Sequence, residues 1–225
     1  MERIGTQDIL TAVADGTLAD WRKLAQPLAA RYRAADAPAA AAFAAAVTAA
    51  AEAAHHTVHE IRLGGGHVDV ALCTVDEGTG ARWVTTADLE LARAVSALAR
   101  ERGLAAVPGE VTQVELALDA AAAPALAPFW SALLSGEARP LVTDTVFDPA
   151  NRVPPVWFQD TDPHTAPRQR WHLDVWLAPE VADARIAAAV AAGGTVVDDA
   201  GAPSFTVLAD PEGNRACVCT ALLRE

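Results

Sequence analysis

The chain has 225 residues, of which 52% are hydrophobic and 20% charged, and its formal net charge at pH 7 is −12. This length and apolar fraction are sufficient for two small domains with packed cores. The acidic balance opposes binding to phosphate backbones and anionic lipid, so neither a nucleic acid nor a membrane partner is expected.

The cysteine content and the N-terminal residues indicate the cellular compartment. Cys73, Cys217 and Cys219 form no even framework, and the last two are only two residues apart on a predicted strand, which is poor disulfide geometry. The N-terminal residues lack a basic segment followed by an apolar one. We therefore expect a cytoplasmic protein with reduced thiols.

The first half predicts alternating helices and strands. Helices follow from the spacing of apolar residues behind the capping residues Asp36 and Thr85. Strand alternation on both sides of Gly64-Gly65-Gly66 predicts a hairpin, because glycine supplies the positive φ of its turn. The predicted elements are a helix at 6–15, a strand at 28–33, a helix at 36–55, strands at 58–63 and 67–73, and a helix at 85–98.

The second half follows a different pattern. Residues 105–110 contain Pro108 and Gly109 and predict a linker. After it, we expect the order of one strand, one helix and three strands twice, with only two of the three closing strands assigned in the first copy, which indicates a repeated supersecondary unit. Strands are predicted at 111–118, 141–147, 156–159, 171–177, 195–197, 205–208 and 215–220, helices at 126–134 and 180–192, and a polar loop at 160–169.

Four of the six histidines lie between residues 51 and 75: His55, His56, His59 and His67. A histidine pair at a helix-to-strand junction is a candidate for proton transfer or metal binding, because imidazole titrates near neutral pH. An exposed pair at a helix C-terminus also interacts favourably with the helix dipole. The residues alone leave both interpretations open.

The flanking motifs indicate a family for the first half. Ala51-Glu52-x-x-His55-His56 is followed by Leu72-x-Thr74 and by Thr85-x-x-Asp88-x-x-x-Ala92. In this respect residues 6–100 resemble the pterin-4a-carbinolamine dehydratases. The resemblance implies a lyase that removes the 4a-hydroxyl of a tetrahydropterin carbinolamine and yields the quinonoid dihydropterin.

The resemblance places His55 and His56 at the paired catalytic histidines of that family. Thr57 stands where the family usually has proline, and Val75 stands where it has a third histidine. Valine cannot exchange a proton, so the acid–base set would be complete only if His59 or His67 reached the substrate.

The second half carries Val111-x-Gln113-Val114-x-Leu116, then His172-Leu173-Asp174-Val175, and finally Asp210-Pro211-Glu212-Gly213-Asn214. With these motifs residues 111–225 resemble the glyoxalase-like branch of the vicinal oxygen chelate superfamily. The resemblance implies two βαβββ modules that curl into a cup and hold a divalent metal.

By position, the metal ligands implied are Gln113 and His172, with Cys217 where a glutamate normally stands. His172 and Cys217 would suit Zn²⁺ if a third ligand existed. The alternative, which the residue types favour, is that each is an ordinary structural residue. Trp130, Trp157 and Gln159 are candidate substrate-binding residues, because an aromatic-walled cup suits a planar ligand.

The expected class is α+β, with a dehydratase-like domain at 1–104 whose antiparallel sheet carries helices on one face. The linker at 105–110 and paired βαβββ modules at 111–225 follow. The leading hypothesis is a small-molecule lyase of pterin-dehydratase type, with the family's chemistry or an altered one, fused to a glyoxalase-like domain. The alternatives are a protein that binds or sequesters a small molecule without chemistry, and an oligomerisation module. A small-molecule ligand and a homo-oligomer are expected in either case.

Overall fold

The computed structural model of the protein describes residues 2–135, 138–163, 171–191, 194–209 and 215–224. Most of the polar loop predicted at 160–169, and the whole motif from Asp210 to Asn214, lie outside these residues. The described residues form two α+β halves, so the predicted fold class is confirmed. No helix of the described part is long and apolar enough to cross a membrane.

The N-terminal half is one antiparallel sheet with a short separate hairpin and three helices. Its elements are α1 (Thr6–Ala14), β1 (Arg22–Lys23), β2 (Leu28–Arg33), α2 (Ala37–Ala53), β3 (Glu60–Gly64), β4 (His67–Leu72), β5 (Thr74–Val75), β6 (Arg82–Trp83), α3 (Thr86–Glu101) and β7 (Ala105–Ala106). The sheet order is β1-β2-β4-β3, and β7 also pairs with β2. The first residues of the predicted linker therefore extend the N-terminal sheet, and a 3-10 turn at Pro108–Glu110 follows.

The core of this half lies between the sheet and the helices. Trp21, Tyr32 and Phe43 are fully buried and stack edge to face, with ring centroids 6.5 and 5.2 Å apart. The indole of Trp21 donates to Ser96 Oγ at 3.0 Å, so its polar group is satisfied. Alternate residues of β2 and β4 point into this core: Leu28, Ala30, Tyr32, Val68, Val70 and Leu72.

The C-terminal half is a seven-stranded mixed sheet. Its elements are β8 (Thr112–Ala120), α4 (Ala123–Ser135), β9 (Thr145–Val146), β10 (Val156–Asp160), β11 (Trp171–Leu177), α5 (Pro179–Ala191), β12 (Thr195–Asp198), β13 (Phe205–Ala209) and β14 (Arg215–Cys219). The strand order is β12-β13-β14-β11-β8-β10-β9. The first strands of the two modules, β8 and β11, pair antiparallel, and each pairs in parallel with the last strand of its own module.

The strand predicted at 141–147 is much shorter than expected. Val142 and Thr145 exchange two backbone hydrogen bonds, at 2.9 and 3.0 Å, around a tight turn. Thr143 in this turn has φ +59°, a left-handed conformation that a continuous strand does not allow. Only β9 therefore remains of that strand.

The two halves dock through the segment that precedes β2. Leu24 and the partly buried Ala25 and Ala29 pack against an apolar group of the second half. This group consists of Val111, Trp176, Ala178, Cys217, Cys219 and Val181. The junction therefore has a core of its own, which favours one fixed orientation of the two halves.

A hydrogen-bonded chain of side chains crosses the same junction. Gln113 accepts from the Ala25 backbone N–H at 3.1 Å and donates to Gln26 Oε1 at 2.8 Å. Gln26 in turn donates to Glu115 Oε1 at 2.7 Å, and the indole of Trp176 donates to Glu115 Oε2 at 2.9 Å. Glu115 is only 4% exposed, so these donors satisfy a carboxylate that has lost its water.

Replacement of Gln26 tests this chain. Gln26→Ala leaves Glu115 Oε1 buried without its donor, so the free energy of unfolding is expected to fall by about 1–3 kcal/mol. Urea denaturation measures the change. The matched control is Gln7→Ala on the exposed surface of α1, which is expected to change stability by less than about 0.5 kcal/mol. Equal effects of the two substitutions would show that the chain of hydrogen bonds does not hold the halves together.

Candidate functional site

The histidine pair follows a helix end that turns the chain sharply. Helix α2 ends at Ala53, and the backbone N–H groups of His55 and His56 bond to the carbonyls of Glu52 and Ala51 at 3.0 and 2.9 Å. His55 has φ +50°, in the left-handed position that glycine usually occupies in this type of helix end. The turn leaves the His55 side chain exposed and directs His56 towards α3.

His56 is held by a buried carboxylate. Its Nε2 lies 2.9 Å from Asp88 Oδ1, and the side chains are 11% and 0% exposed. Asp88 Oδ2 accepts from the Thr85 backbone N–H, the Thr85 hydroxyl and the Thr74 hydroxyl at 2.8, 2.8 and 2.9 Å. These contacts fix the carboxylate, which in turn fixes the ring and tautomer of His56.

Val75 is an exposed residue of the short β5–β6 hairpin, with 44% of its surface accessible. Its direct cross-strand partner is Arg82. Residues directly opposite in an antiparallel pair have neighbouring side chains. The position where the related family has its third histidine is thus beside a guanidinium.

His59 is linked through Arg82 to the second half. Its Nε2 accepts from Arg82 Nη1 at 3.3 Å, and Arg82 also donates to Asn151 Oδ1 at 3.2 Å. Burial, with the nearby Arg82 charge, lowers the pKa of His59 to about 4. His59 is therefore neutral at pH 7. It borders a cleft of about 830 Å³ between the open face of the N-terminal sheet and residues 151–155.

His67 lies at the start of β4 and away from the other histidines. Its Nδ1 donates to the Gly65 carbonyl at 3.1 Å, and its Nε2 lies 3.6 Å from Glu110. In the described part of the chain, the cavities of about 850, 830, 480 and 200 Å³ have neither His67 nor the pair His55 and His56 among their lining residues.

The C-terminal cup contains a cavity of about 850 Å³. Trp157 and Gln159 line it, as alternation along β10 predicts, while Phe158 between them is buried in the core. Trp130 instead packs in the apolar cluster beneath α4, with its ring 4.9 Å from that of Trp171. The other lining residues include Trp171, His172, Asp174, Phe205, Arg215, Cys217 and Arg224.

Three potential metal ligands meet in this cavity. One donor atom from each of His172, Asp174 and Cys217 lies within 4.8 Å of the other two. His172 and Asp174 are two residues apart on β11, and Cys217 is the register partner of Asp174 on β14. Asp174 Oδ2 accepts from the Trp157 indole at 2.7 Å, whereas Oδ1 is buried without a hydrogen-bond donor. Burial, with Asp174 nearby, raises the pKa of Cys217 to about 12.

Gln113 lies outside this cluster, because its amide belongs to the chain of hydrogen bonds with Ala25 and Gln26. Glu115, two residues further along the same face of β8, is likewise held by Gln26 and Trp176. Burial raises the pKa of Glu115. The docked N-terminal half therefore occupies Gln113 and Glu115, while Asp119 further along β8 lines the cup.

Sequence reasoning missed Asp88 and Asp174 as site residues, although signals for both were present. Asp88 stands three residues after the cap Thr85 in the Thr85-x-x-Asp88 motif, and its carboxylate completes the capping box of α3 as well as the contact with His56. Asp174 is two residues from His172, so strand alternation alone places both on one face. Arg82 had no such signal, since its partners His59 and Asn151 are 23 and 69 residues away in the chain.

Comparison with known proteins assigns the two halves separately. Residues 3–98 match the family described as pterin 4 alpha carbinolamine dehydratase, and residues 115–219 match the glyoxalase-like domain. A search of curated proteins gave no match to the chain. The resemblances inferred from the motifs are thus confirmed: the chain consists of a pterin dehydratase-like domain followed by a glyoxalase-like domain.

Proposed function

We propose that the N-terminal domain is a lyase of pterin-dehydratase type, which removes water from a 4a-hydroxytetrahydropterin-like substrate. The observation that carries the proposal is the 2.9 Å contact between His56 Nε2 and the buried Asp88 carboxylate. A histidine whose orientation and tautomer are fixed is suited to proton transfer, which this reaction needs.

The chemistry divides between the two histidines. Hydroxide is a poor leaving group, so the 4a-oxygen must gain a proton before the C4a–O bond breaks and water departs. Nε2–H of His56 bonds to Asp88, so Nδ1 is the nitrogen that donates this proton, and it does so from the protonated, imidazolium form of the ring. The adjacent N5–H of the pterin loses its proton to His55, and the electron pair forms the C=N bond of the quinonoid dihydropterin.

Removal of the His56 imidazole tests the proposal. His56→Ala is expected to lower the enzyme-dependent rate of dehydration by about 10²–10⁴-fold, the usual contribution of a general acid. The rate is followed by the change in absorbance as the quinonoid product forms. His67→Ala is the matched control, since it removes a histidine from the same domain, and it is expected to retain the wild-type rate. A His56→Ala protein as active as the control would refute the proposed role.

Val75 provides a test in the opposite direction. Val75→His places an imidazole on the exposed β5–β6 hairpin, so the variant is expected to dehydrate the same substrate at least about tenfold faster than wild type. The control is Val75→Ala, which removes the aliphatic side chain without adding a titratable group. If both variants or neither gained activity, a missing proton-transfer group would not be what limits the rate.

The buried Asp174 favours a second candidate function in the glyoxalase-like domain, which is to bind a small molecule together with a divalent metal. The donors fit Zn²⁺, since imidazole, carboxylate and thiolate are its usual ligands and Asp174 Oδ1 is an acceptor without a donor. We propose His172, Asp174 and Cys217 as the residues that coordinate the metal. Trp157 and Gln159 are the residues that contact the bound small molecule. A metal held there would supply a Lewis acid that polarises an oxygen of the ligand.

Cobalt substitution tests this metal site. Co²⁺ added to the full chain is expected to produce a thiolate-to-metal charge-transfer band, and Cys217→Ser is expected to abolish it. Cys73→Ala is the matched control, since Cys73 is buried in the other domain, and it should retain the band. Persistence of the band in Cys217→Ser would exclude this ligand set. A wild-type protein without any band would leave the cup as a metal-free binding site.

The homo-oligomer and the cytoplasmic location expected from the sequence remain predictions. Both are compatible with the proposed lyase, whose substrate is a small soluble molecule.

A further inference from the structure

We propose that the junction between the two domains holds a second binding site, for a small oxyanion of the phosphate type. The site is a cavity of about 200 Å³ whose lining includes Arg3, Lys23 and Arg82. It contains neither His56 nor His172, so it is independent of both proposed functions.

Arg82 is a half-buried cation without an anionic partner among the residues that the structure describes. Its Nη atoms donate to neutral groups, namely His59 Nε2, Asn151 Oδ1 and the Asp148 carbonyl at 3.0 Å. Its Nε is buried without any acceptor. The guanidinium also lies over the Phe147 ring, 4.3 Å from the centroid. A charge in these surroundings is poorly compensated.

Lys23 and Arg3 are in a similar position. Lys23 Nζ donates to the backbone carbonyls of Leu24 and Ala25, and burial lowers its pKa to about 8. The nearby positive charge of Arg3 lowers it further. Arg3 lies over the Trp83 ring at 3.9 Å, and within the described part of the chain neither cation forms an ion pair. An anion in the cavity would compensate all three charges.

The acidic groups nearby do not neutralise this excess. Asp144 is the carboxylate on the cavity lining, and its Oδ1 accepts from the hydroxyls of Thr143 and Thr145 at 3.1 and 2.8 Å. Glu115 interacts with Lys23 from an adjoining cavity of about 480 Å³, and Asp148 and Glu60 interact electrostatically with Arg82, although their ion pairs are formed with Arg152 and Arg62. The cavity lining thus carries three cations and one carboxylate, and within the described part of the chain no carboxylate forms an ion pair with any of the three cations.

The size and the remaining lining define the ligand. The volume is below the roughly 300–1,000 Å³ of sites for drug-sized molecules, so a compact ion or a single phosphoryl group fits best. The Thr6 hydroxyl also lines the cavity and can donate to a further oxygen, as can the second N–H of the Gln26 amide, whose first N–H bonds to Glu115. Arginine and lysine are the side chains that bind phosphate groups most often.

Isothermal titration calorimetry of the full chain tests the site, with inorganic phosphate and glycerol phosphate as probes at constant ionic strength. Saturable binding is expected for at least one probe, and Arg82→Gln is expected to weaken it at least tenfold. Arg62→Gln is the matched control, because Arg62 lies in the neighbouring cleft, is 66% exposed and is paired with Glu60. This control is expected to bind as wild type does.

Arg82 also contacts the second domain, so Arg3→Gln provides a second variant in which only the stacking over Trp83 is lost. It too is expected to weaken binding. Tighter binding of glycerol phosphate would assign the site to the phosphoryl group of an organic molecule, and equal or tighter binding of inorganic phosphate to the free ion. Failure of both probes to saturate wild type, or unchanged affinity in Arg3→Gln and Arg82→Gln, would overturn the proposal.

Discussion

The contact between Gln26 and Glu115 determines much of the rest of the structure. Glu115 is a buried carboxylate of the second domain, and a residue of the first domain supplies one of its two hydrogen bonds. The domains must therefore dock in one orientation for this charge to be satisfied. The cavities at the junction, and the contact of Arg82 with Asn151, exist only in that orientation.

Docking also divides the polar groups of the cup between two tasks. On β8, Gln113 and Glu115 face the first domain and hold it. On β11 and β14, His172, Asp174 and Cys217 remain together in the open cavity. One end of the concave face of the C-terminal sheet thus holds the first domain. The other end is left open to a ligand.

The two histidine–carboxylate pairs are built differently, and this difference separates their chemistry. Asp88 accepts three hydrogen bonds besides its contact with His56, so it has a fixed position and no capacity for another ligand. Asp174 accepts from Trp157 on one oxygen, and its other oxygen, 3.3 Å from His172, has no donor. The first pair is suited to orienting a proton donor, and the second to receiving a cation.

The sequence predicted most elements because their signals are local, such as the apolar alternation in β4 or the cap at Asp36. The strand at 141–147 was overestimated, because apolar content does not reveal the left-handed Thr143. For the site, the motifs located His55 and His56 but not the contact with Asp88, which depends on the turn after α2. Partners such as Gln26 and Glu115 are 89 residues apart and become neighbours only through docking, which no local pattern encodes.

The cleft over the N-terminal sheet has a consequence for self-association. Helices cover one face of this sheet, and the second domain stands over the other, across the cleft that His59 borders. Neither face is then free to stack flat against a second copy. The strand β3 lies at the end of the sheet order and carries Leu63, which is 54% exposed. The arrangement that the fusion leaves open to a dimer is therefore edge-to-edge pairing, in which β3 pairs with a strand of the second copy and the two sheets join side by side.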